Sequence, residues 1–441
     1  MIYSVIEILS EILVHPISNH EFSSILLTLM PLVIFFEIPW TLFILVGIVR
    51  YKWERMHEGV RRDYFPSVSC IITCYSEGAA IKQTIRSLTE QIYPGKIQLI
   101  VLVDGAAANQ ETLRVAQSMS GYVNEFLNRK LLVIPKWQRG GVVSSSNAGL
   151  QFADGEIIIK VDGDSSMDNN MVERATRHFE NSEVVAVSGC LRVRNANESI
   201  WTSFQAIEYF IAIQSSKSAL STFNMVNNIS GAFGIFRREL LDLVMGWDAG
   251  TAEDLDMTMR IKNYFANKKK KFRIVFDPEA MCFTDVPVTL KNYLKQRIRW
   301  DGDYSFILAK HKHTLSPKFI GWPNFIGLLV RMFTNLVIPC TVFFYTIWLC
   351  IAYPWSFAIA LMIFMYLFYF IMHSCMYIFS VWLLSERICE DLARIPYLLF
   401  IPAFMFIGRI NALVANLWQW FGKGHQDTSM APWWVIKKNK F

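Results

Sequence analysis

The chain has 441 residues, of which 53% are hydrophobic, 14% aromatic and 18% charged, with a formal net charge of +6. That length accommodates two or three ordinary domains, and so apolar a composition excludes an average soluble protein. The modest positive charge fits basic flanks beside membrane segments better than a nucleic-acid surface. The eight cysteines include no CxxC pair and no spacing of a metal site. Reduced thiols in a cytoplasmic or membrane setting are therefore expected.

The first apolar segment runs from Ser23 to Val49, longer than the roughly 20 residues that span a bilayer. Glu37 and two prolines inside it predict a kink or a polar side facing protein. Its late start, its length and the lack of a small-residue cleavage site argue against a signal peptide. Glu7, Glu11 and Glu21 precede it and the basic stretch RYKWERMHEGVRR follows. That asymmetry predicts an outer N-terminus and a cytoplasmic continuation.

Residues from about 66 to 315 read as soluble. The runs SVSCIITCY, IQLIVLVDG, KLLVIP, GEIIIKVDGD and VVAVSG are short, rich in Val and Ile, and end in polar or turn residues. Continuous apolar strands separated by helices predict a mainly parallel sheet covered on both faces. Ligands bind such sheets beyond the carboxyl ends of the strands. The residues just after the runs therefore matter most: Tyr75 and Glu77, Asp104, and Asp162 with Asp164.

From about Phe319 the chain is apolar again, with two long spans and a weaker third, IPYLLFIPAFMFIGRINALVANLWQWF, interrupted by Pro402 and Arg409. The tail WWVIKKNKF is basic and aromatic, as at a cytoplasmic interface. One crossing before the soluble part and three after it would leave that tail outside. Either one segment is interfacial or re-entrant, or a long one hides two crossings. The expected divisions are 1–52, 53–315, 316–422 and 423–441. Lys268 to Lys271 is expected to be a solvated turn.

Five stretches carry chemistry. In IIIKVDGDSS a strand delivers Asp162 and Asp164 to one side of an extended chain. Two carboxylates that close repel unless a cation lies between them, and a hard ion such as Mg2+ or Mn2+ fits. CYSEG and LVDGA end earlier strands, so that Tyr75 can stack on a base while Glu77 and Asp104 accept hydrogen bonds. In GTAEDLDMTMR, Gly250 and Thr251 precede a helix that opens with Glu253, Asp254 and Asp256. These acids complement a helix dipole or supply a general base. In KQRIRWDGD, near Lys291 and Lys295, Gln296, Arg299 and Trp300 share one helix face. Arg299 can engage a diphosphate and Trp300 a sugar ring. Arg297 points away, toward headgroups or solvent, so Arg299→Ala should cost more than Arg297→Ala.

In this order the motifs resemble the processive, membrane-embedded family-2 inverting glycosyltransferases, the cellulose, chitin, hyaluronan and poly-N-acetylglucosamine synthases. The family pattern of D, D-x-D, T/x-E-D and Q-x-x-R-W is matched by Asp104, Asp162 with Asp164, Glu253 with Asp254, and Gln296, Arg299 and Trp300. The resemblance implies an α/β GT-A domain in the cytoplasm, a nucleotide-diphospho-sugar transferase fold, plus an α-helical transmembrane domain forming a polymer channel. It implies that Tyr75, Glu77 and Asp104 hold uridine, and that Asp162 and Asp164 hold the diphosphate through Mg2+ or Mn2+. Asp254 would be the base, with Glu253, Gln296, Arg299 and Trp300 shaping the substrate site. Gly189 and Arg192 in VSGCLRV, and Ser230 and Gly231 in NISGAFGIFRR, resemble segments lining the acceptor end. Two departures stand at the nucleotide pocket. Val103 replaces a residue that is often acidic, and Gly141 stands where a lysine is usual, with Arg139 two residues away as a substitute charge.

The expected partners are a UDP-sugar, with glucose or N-acetylglucosamine favoured, a growing polysaccharide, membrane lipids and accessory or regulatory subunits, without nucleic acid. Two other readings stay open: a transferase of one sugar to a lipid phosphate, and a binding or signalling protein built on an inactive transferase domain.

Overall fold

The structure is a computed structural model that describes residues 6–7, 30–58, 63–248 and 252–422. Glu11, Glu21, Gly250, Thr251 and the basic aromatic tail lie outside the described residues.

The apolar runs form strands as expected, in one eight-stranded sheet: β1 Val68–Cys74, β2 Ile97–Asp104, β3 Arg129–Lys136, β4 Ile157–Asp162, β5 Ser166–Met167, β6 Val184–Val193, β7 Phe233–Arg237 and β8 Arg273–Thr284. The order is β3-β2-β1-β4-β7-β6-β8-β5. Side chains alternate between two buried faces. Cys70 and Ile72 of β1 join a core with Ile81, Ile85 and Leu88 of the helix Ile81–Thr89. Ile71 joins another with Leu150 of the helix Gly141–Phe152 and Met257 and Ile261 of the helix Glu253–Asn267. Burial on both faces is why these strands read as unbroken apolar runs.

The sheet is mixed rather than simply parallel. β1 pairs parallel with β2 and with β4, and β2 pairs parallel with β3. β7 runs antiparallel between β4 and β6, and β5 is antiparallel to β8. The antiparallel insertion has a consequence for the site. Val161 of β4 lies opposite Phe233 of β7, so the turn entering β7 reaches the carboxyl end of β4. The order also reverses direction at β1, between β2 and β4, which opens a crevice beyond their carboxyl ends.

Among the described residues, four helices are long and apolar enough to cross a membrane: Val33–Met56, Trp322–Ala352, Trp355–Leu384 and Ile395–Gly422. The first docks on the sheet-bearing part of the chain at Gly47, where an added Cβ would collide with Ala219 of the helix Ser216–Thr222. Glu37 of that helix pairs with Arg409 of the fourth at 2.7 Å, so the polar side inferred from Glu37 does face protein. The segment between the third and fourth helices is tied to the sheet by Arg387 to Asp168, at 2.9 Å, and by Asp391 to Arg192. Lys268 to Lys271 form an exposed turn, as expected.

Candidate active site

The cleft is built on three strand ends. After β4, Thr84 Oγ1 donates to the carbonyl oxygens of Gly163, at 2.7 Å, and Ser165, at 2.6 Å. Gly163 N donates to Thr73 O at 3.0 Å. A Cβ on Gly163 would stand 2.7 Å from Cys74 Sγ and 3.2 Å from the Glu77 carboxyl carbon. Glycine between the two aspartates therefore lets the end of β1 close onto the acidic turn. Burial pushes the Glu77 carboxyl up to about 7, and the charges of Asp164 and Asp162 add to this. Burial raises Asp164 as well, reinforced by Asp162.

After β2, Asp104 accepts from Lys136 Nζ, Gly140 N and Gly141 N, each at 2.8 Å. Both oxygens already face protein donors, so Asp104 holds the loop that leads into the helix Gly141–Phe152. Gly141 has φ +80, a conformation costly for a residue with a Cβ. That is the physical reason a lysine would fit poorly there. Arg139 goes elsewhere, its guanidinium lying 4.1 Å from the centre of the Tyr75 ring. Tyr75 is half-exposed beside the cleft and its N–H donates to Glu77 Oε2 at 2.7 Å.

Beneath the cleft lies a buried cation that sequence reasoning passed over. Lys160 of β4 donates to Gly231 O, pairs with Glu253 at 3.3 Å and approaches Asp162 at 3.9 Å. The signal was present: Lys160 interrupts an isoleucine run and, two residues before Asp162, shares its side of the strand. Burial raises the Asp162 carboxyl. Lys160 opposes this, and the Asp254 charge adds to it. Glu253 is likewise raised by burial against the pull of Lys160.

Asp254, in the first turn of the helix Glu253–Asn267, is held by three donors. Its Oδ2 accepts from Asn228 Nδ2 at 3.2 Å and Gly231 N at 3.1 Å, and its Oδ1 from Leu255 N at 2.7 Å. The Ser230–Gly231 turn thus lies directly over the acid pair. A Cβ on Gly231 would stand 3.0 Å from Glu253 Oε1. The third acid of the stretch, Asp256, is not in the cleft. It pairs with Arg260 at 2.8 Å, Lys310 at 2.8 Å and His311 at 2.9 Å. The bonds to Lys310 and His311 clamp the helix Glu253–Asn267 to the end of the helix Leu290–Lys310.

Burial alone would raise the Asp256 carboxyl. The hydrogen bonds from His311 and Lys310, with the charges of Lys310 and Arg260, outweigh burial and hold it well below the usual carboxylate range. Its contribution to stability is therefore complete above the unfolded aspartate value of about 4 and is lost as pH falls below it. Melting curves should show Asp256→Asn less stable than the parent at pH 7, with the gap closing on acidification. A gap that stays constant down to pH 3 would contradict this linkage.

The helix Leu290–Lys310 is capped by Thr289, whose hydroxyl accepts from Asn292 N. The Arg299 charge lowers the Asp162 carboxyl, after the larger effects of burial, Lys160 and Asp254. Gln296, one turn earlier, keeps its Oε1 buried without a protein partner. Trp300 is partly exposed. The expectation for Arg297 is corrected. It does not reach headgroups or solvent but pairs with Glu208 at 2.7 Å in a largely buried site. Its guanidinium also lies 5.1 Å from the Tyr293 ring and 4.5 Å from the Trp300 ring.

Two acceptor-side expectations take a different form. Arg192 is buried, donating to Gln214 at 2.7 Å and to Asp391, so its guanidinium ties β6 to the membrane part. Gly189 lies under the Phe233 ring, which any Cβ would overlap, so packing accounts for the glycine.

Among the described residues no group of three or more His, Cys, Asp and Glu side chains is arranged to hold a metal alone. The donors still suit a hard divalent ion that takes further ligands from a substrate. Asp162 and Asp164 offer oxygen ligands only, and the crowding of their charges adds to the rise of the Asp164 carboxyl. A divalent cation relieves that crowding, and Mg2+ binds through one or two carboxylates plus phosphate oxygens.

Comparison with known proteins agrees with this arrangement. The profile described as glycosyltransferase like family 2 matches residues 66–302, more than half of the chain. A poly-beta-1,6-N-acetyl-D-glucosamine synthase from Staphylococcus epidermidis is 25% identical over 295 residues, covering 65% of this chain and 68% of that protein. One from Staphylococcus aureus strain COL is 25% identical over 292 residues, covering 65% and 67%. A mannosyltransferase from Pyrobaculum calidifontis, solved in complex with GDP-Man and Mn2+, shares the fold, with a TM-score of 0.56 at 20% identity over 87% of this chain and 98% of that one. The matched region takes in the entire sheet and most of the helix bearing Arg299, and on that ground the chain belongs to glycosyltransferase family 2 and is a glycosyltransferase.

Proposed function

We infer that the protein is a membrane polysaccharide synthase that transfers a sugar from a UDP-sugar to the non-reducing end of a growing β-linked polymer. The observation that carries this reading is the meeting of Asp162, Glu253 and the Gly231 turn around Lys160, with Gly231 N on Asp254, beside the four apolar helices of the described residues. An acceptor hydroxyl attacks the anomeric carbon from the face opposite the diphosphate, which inverts that centre. Asp254 accepts the hydroxyl proton, and Arg299 meets the charge that develops on the departing UDP. Asp162 and Asp164 would hold Mg2+ or Mn2+, which supplies positive charge to the diphosphate when bound. Tyr75, with Arg139 stacked on it, offers a flat platform for a base. The names of the relatives favour N-acetylglucosamine over glucose as the sugar.

The fourth apolar helix packs against both the first apolar helix and the helix Leu290–Lys310. It is 44% buried, against 28%, 22% and 17% for the other three. It lies along the helix Leu290–Lys310, where Asn411 donates to Leu294 O, and Ser305 hydrogen-bonds Asn416. Its Arg409 also pairs with Glu37 of the first apolar helix at 2.7 Å, so the same helix packs among the candidate spans as well. The polymer would leave through the spans as it grows.

Incubating the purified chain with UDP-N-acetylglucosamine, UDP-glucose and UDP-glucuronate, with Mg2+ or Mn2+, tests the donor and stereochemistry. UDP-N-acetylglucosamine should be consumed fastest, yielding a product cleaved only by β-specific hydrolases. An α-linked product, or no consumption of any UDP-sugar, would refute the reading.

A further inference from the structure

Asn228 makes a contact that packing does not require. Its Nδ2 donates to Asp254 Oδ2 at 3.2 Å, while its Oδ1 is buried and has no partner. Turning the amide over would set an oxygen against the carboxylate and is unfavourable. The orphan oxygen therefore follows from keeping the amide on Asp254. A buried unpaired carbonyl opposes folding, and such a defect calls for a reason. The backbone of Asn228 is fixed from the other side. Lys217 Nζ, from the helix Ser216–Thr222, donates to Asn228 O at 2.9 Å and lies 3.4 Å from Ser188 Oγ of β6. Burial draws the Lys217 ammonium down to about 8, against the pull of Asp254.

We propose that Lys217 and Asn228 form a positioning chain for the general base, occupying Asp254 Oδ2 so that Oδ1 receives the acceptor proton. The inference rests on the synthase reading above. Oδ2 already takes two donors, from Asn228 and Gly231, whereas Oδ1 takes one, from Leu255. In the transfer step the acceptor oxygen bonds to the anomeric carbon and its proton goes to Oδ1. The bond from that carbon to the diphosphate oxygen breaks, and the electron pair leaves with UDP. Neither Asn228 nor Lys217 touches the reacting atoms. They act by fixing which oxygen of Asp254 faces them.

Asn228→Leu separates this role from a structural one, because it removes the orphan oxygen together with the amide. The full chain in detergent should show kcat for sugar transfer at least tenfold lower and KM for the UDP-sugar within twofold of the parent. The melting midpoint should be unchanged or higher. Lys217→Met should lower kcat in the same sense, and Lys217→Arg, which keeps a donor, should recover most of it. In an Asp254→Asn background, Asn228→Leu should cause no further loss. A parental kcat in Asn228→Leu, or a loss matched by a lower melting midpoint, would overturn the proposal. So would a further loss in the Asp254→Asn background. Absence of UDP release by the parent chain would instead overturn the synthase reading, so the two failures are distinguishable.

Discussion

Asp254→Asn should lower sugar incorporation by about 10²–10⁴-fold, the range that general-base catalysis supplies. Asparagine has the size of aspartate but cannot accept a proton at this position. Asp254 is fixed at a helix start by Asn228, Gly231 and Leu255, so the variant keeps its place at the price of one mismatched donor. The end of the cleft proposed for the nucleotide, at Tyr75 and Arg139, is built from separate strand ends and loops. UDP affinity measured by calorimetry should therefore stay within a few-fold of the parent. Incorporation of radiolabelled sugar at the parental rate would remove Asp254 from the base role.

The second large effect divides two arginines on one helix. Arg297→Ala should destabilise the protein by about 3–5 kcal/mol, because it leaves Glu208 charged and largely unsolvated. Its contacts with the Tyr293 and Trp300 rings would be lost too. The expected result is a lower melting midpoint and a poor yield of folded protein in detergent. Arg299→Ala should instead fold normally and lose polymer synthesis, since its charge acts on the Asp162 side of the cleft. Equal melting midpoints for the two variants would contradict this division.

The comparison of these arginines shows what the chain reveals locally and what it hides. Helical spacing separates Arg297 from Arg299, whereas Trp300, three residues after Arg297, has its ring 4.5 Å from the Arg297 guanidinium. The partner of Arg297 is 89 residues away in sequence, so its burial cannot be read from neighbours. Lys160 is hidden for the same reason, with Glu253 lying 93 residues along the chain. The strands β1, β2 and β4 are legible because both of their faces are buried. β8 is not legible, because Asp277, Pro278 and Glu279 break its apolar pattern. Arg177 pairs with Asp277 and His178 hydrogen-bonds it, and Arg55, at the end of the first apolar helix, pairs with Glu279. The acids of the cleft stand out because they end apolar strands or open a helix. Whether Asp104 faces a ligand or a loop depends on Lys136 and two backbone N–H groups that only the folded chain brings to it.

The most direct measurement is the size of the radiolabelled product made by the purified full chain in lipid vesicles, supplied with labelled UDP-N-acetylglucosamine and Mg2+ or Mn2+. The account predicts a high-mass polymer that lengthens with time as UDP is released. A product that stays at one sugar and partitions into organic solvent, or vesicles that release no UDP, would contradict it.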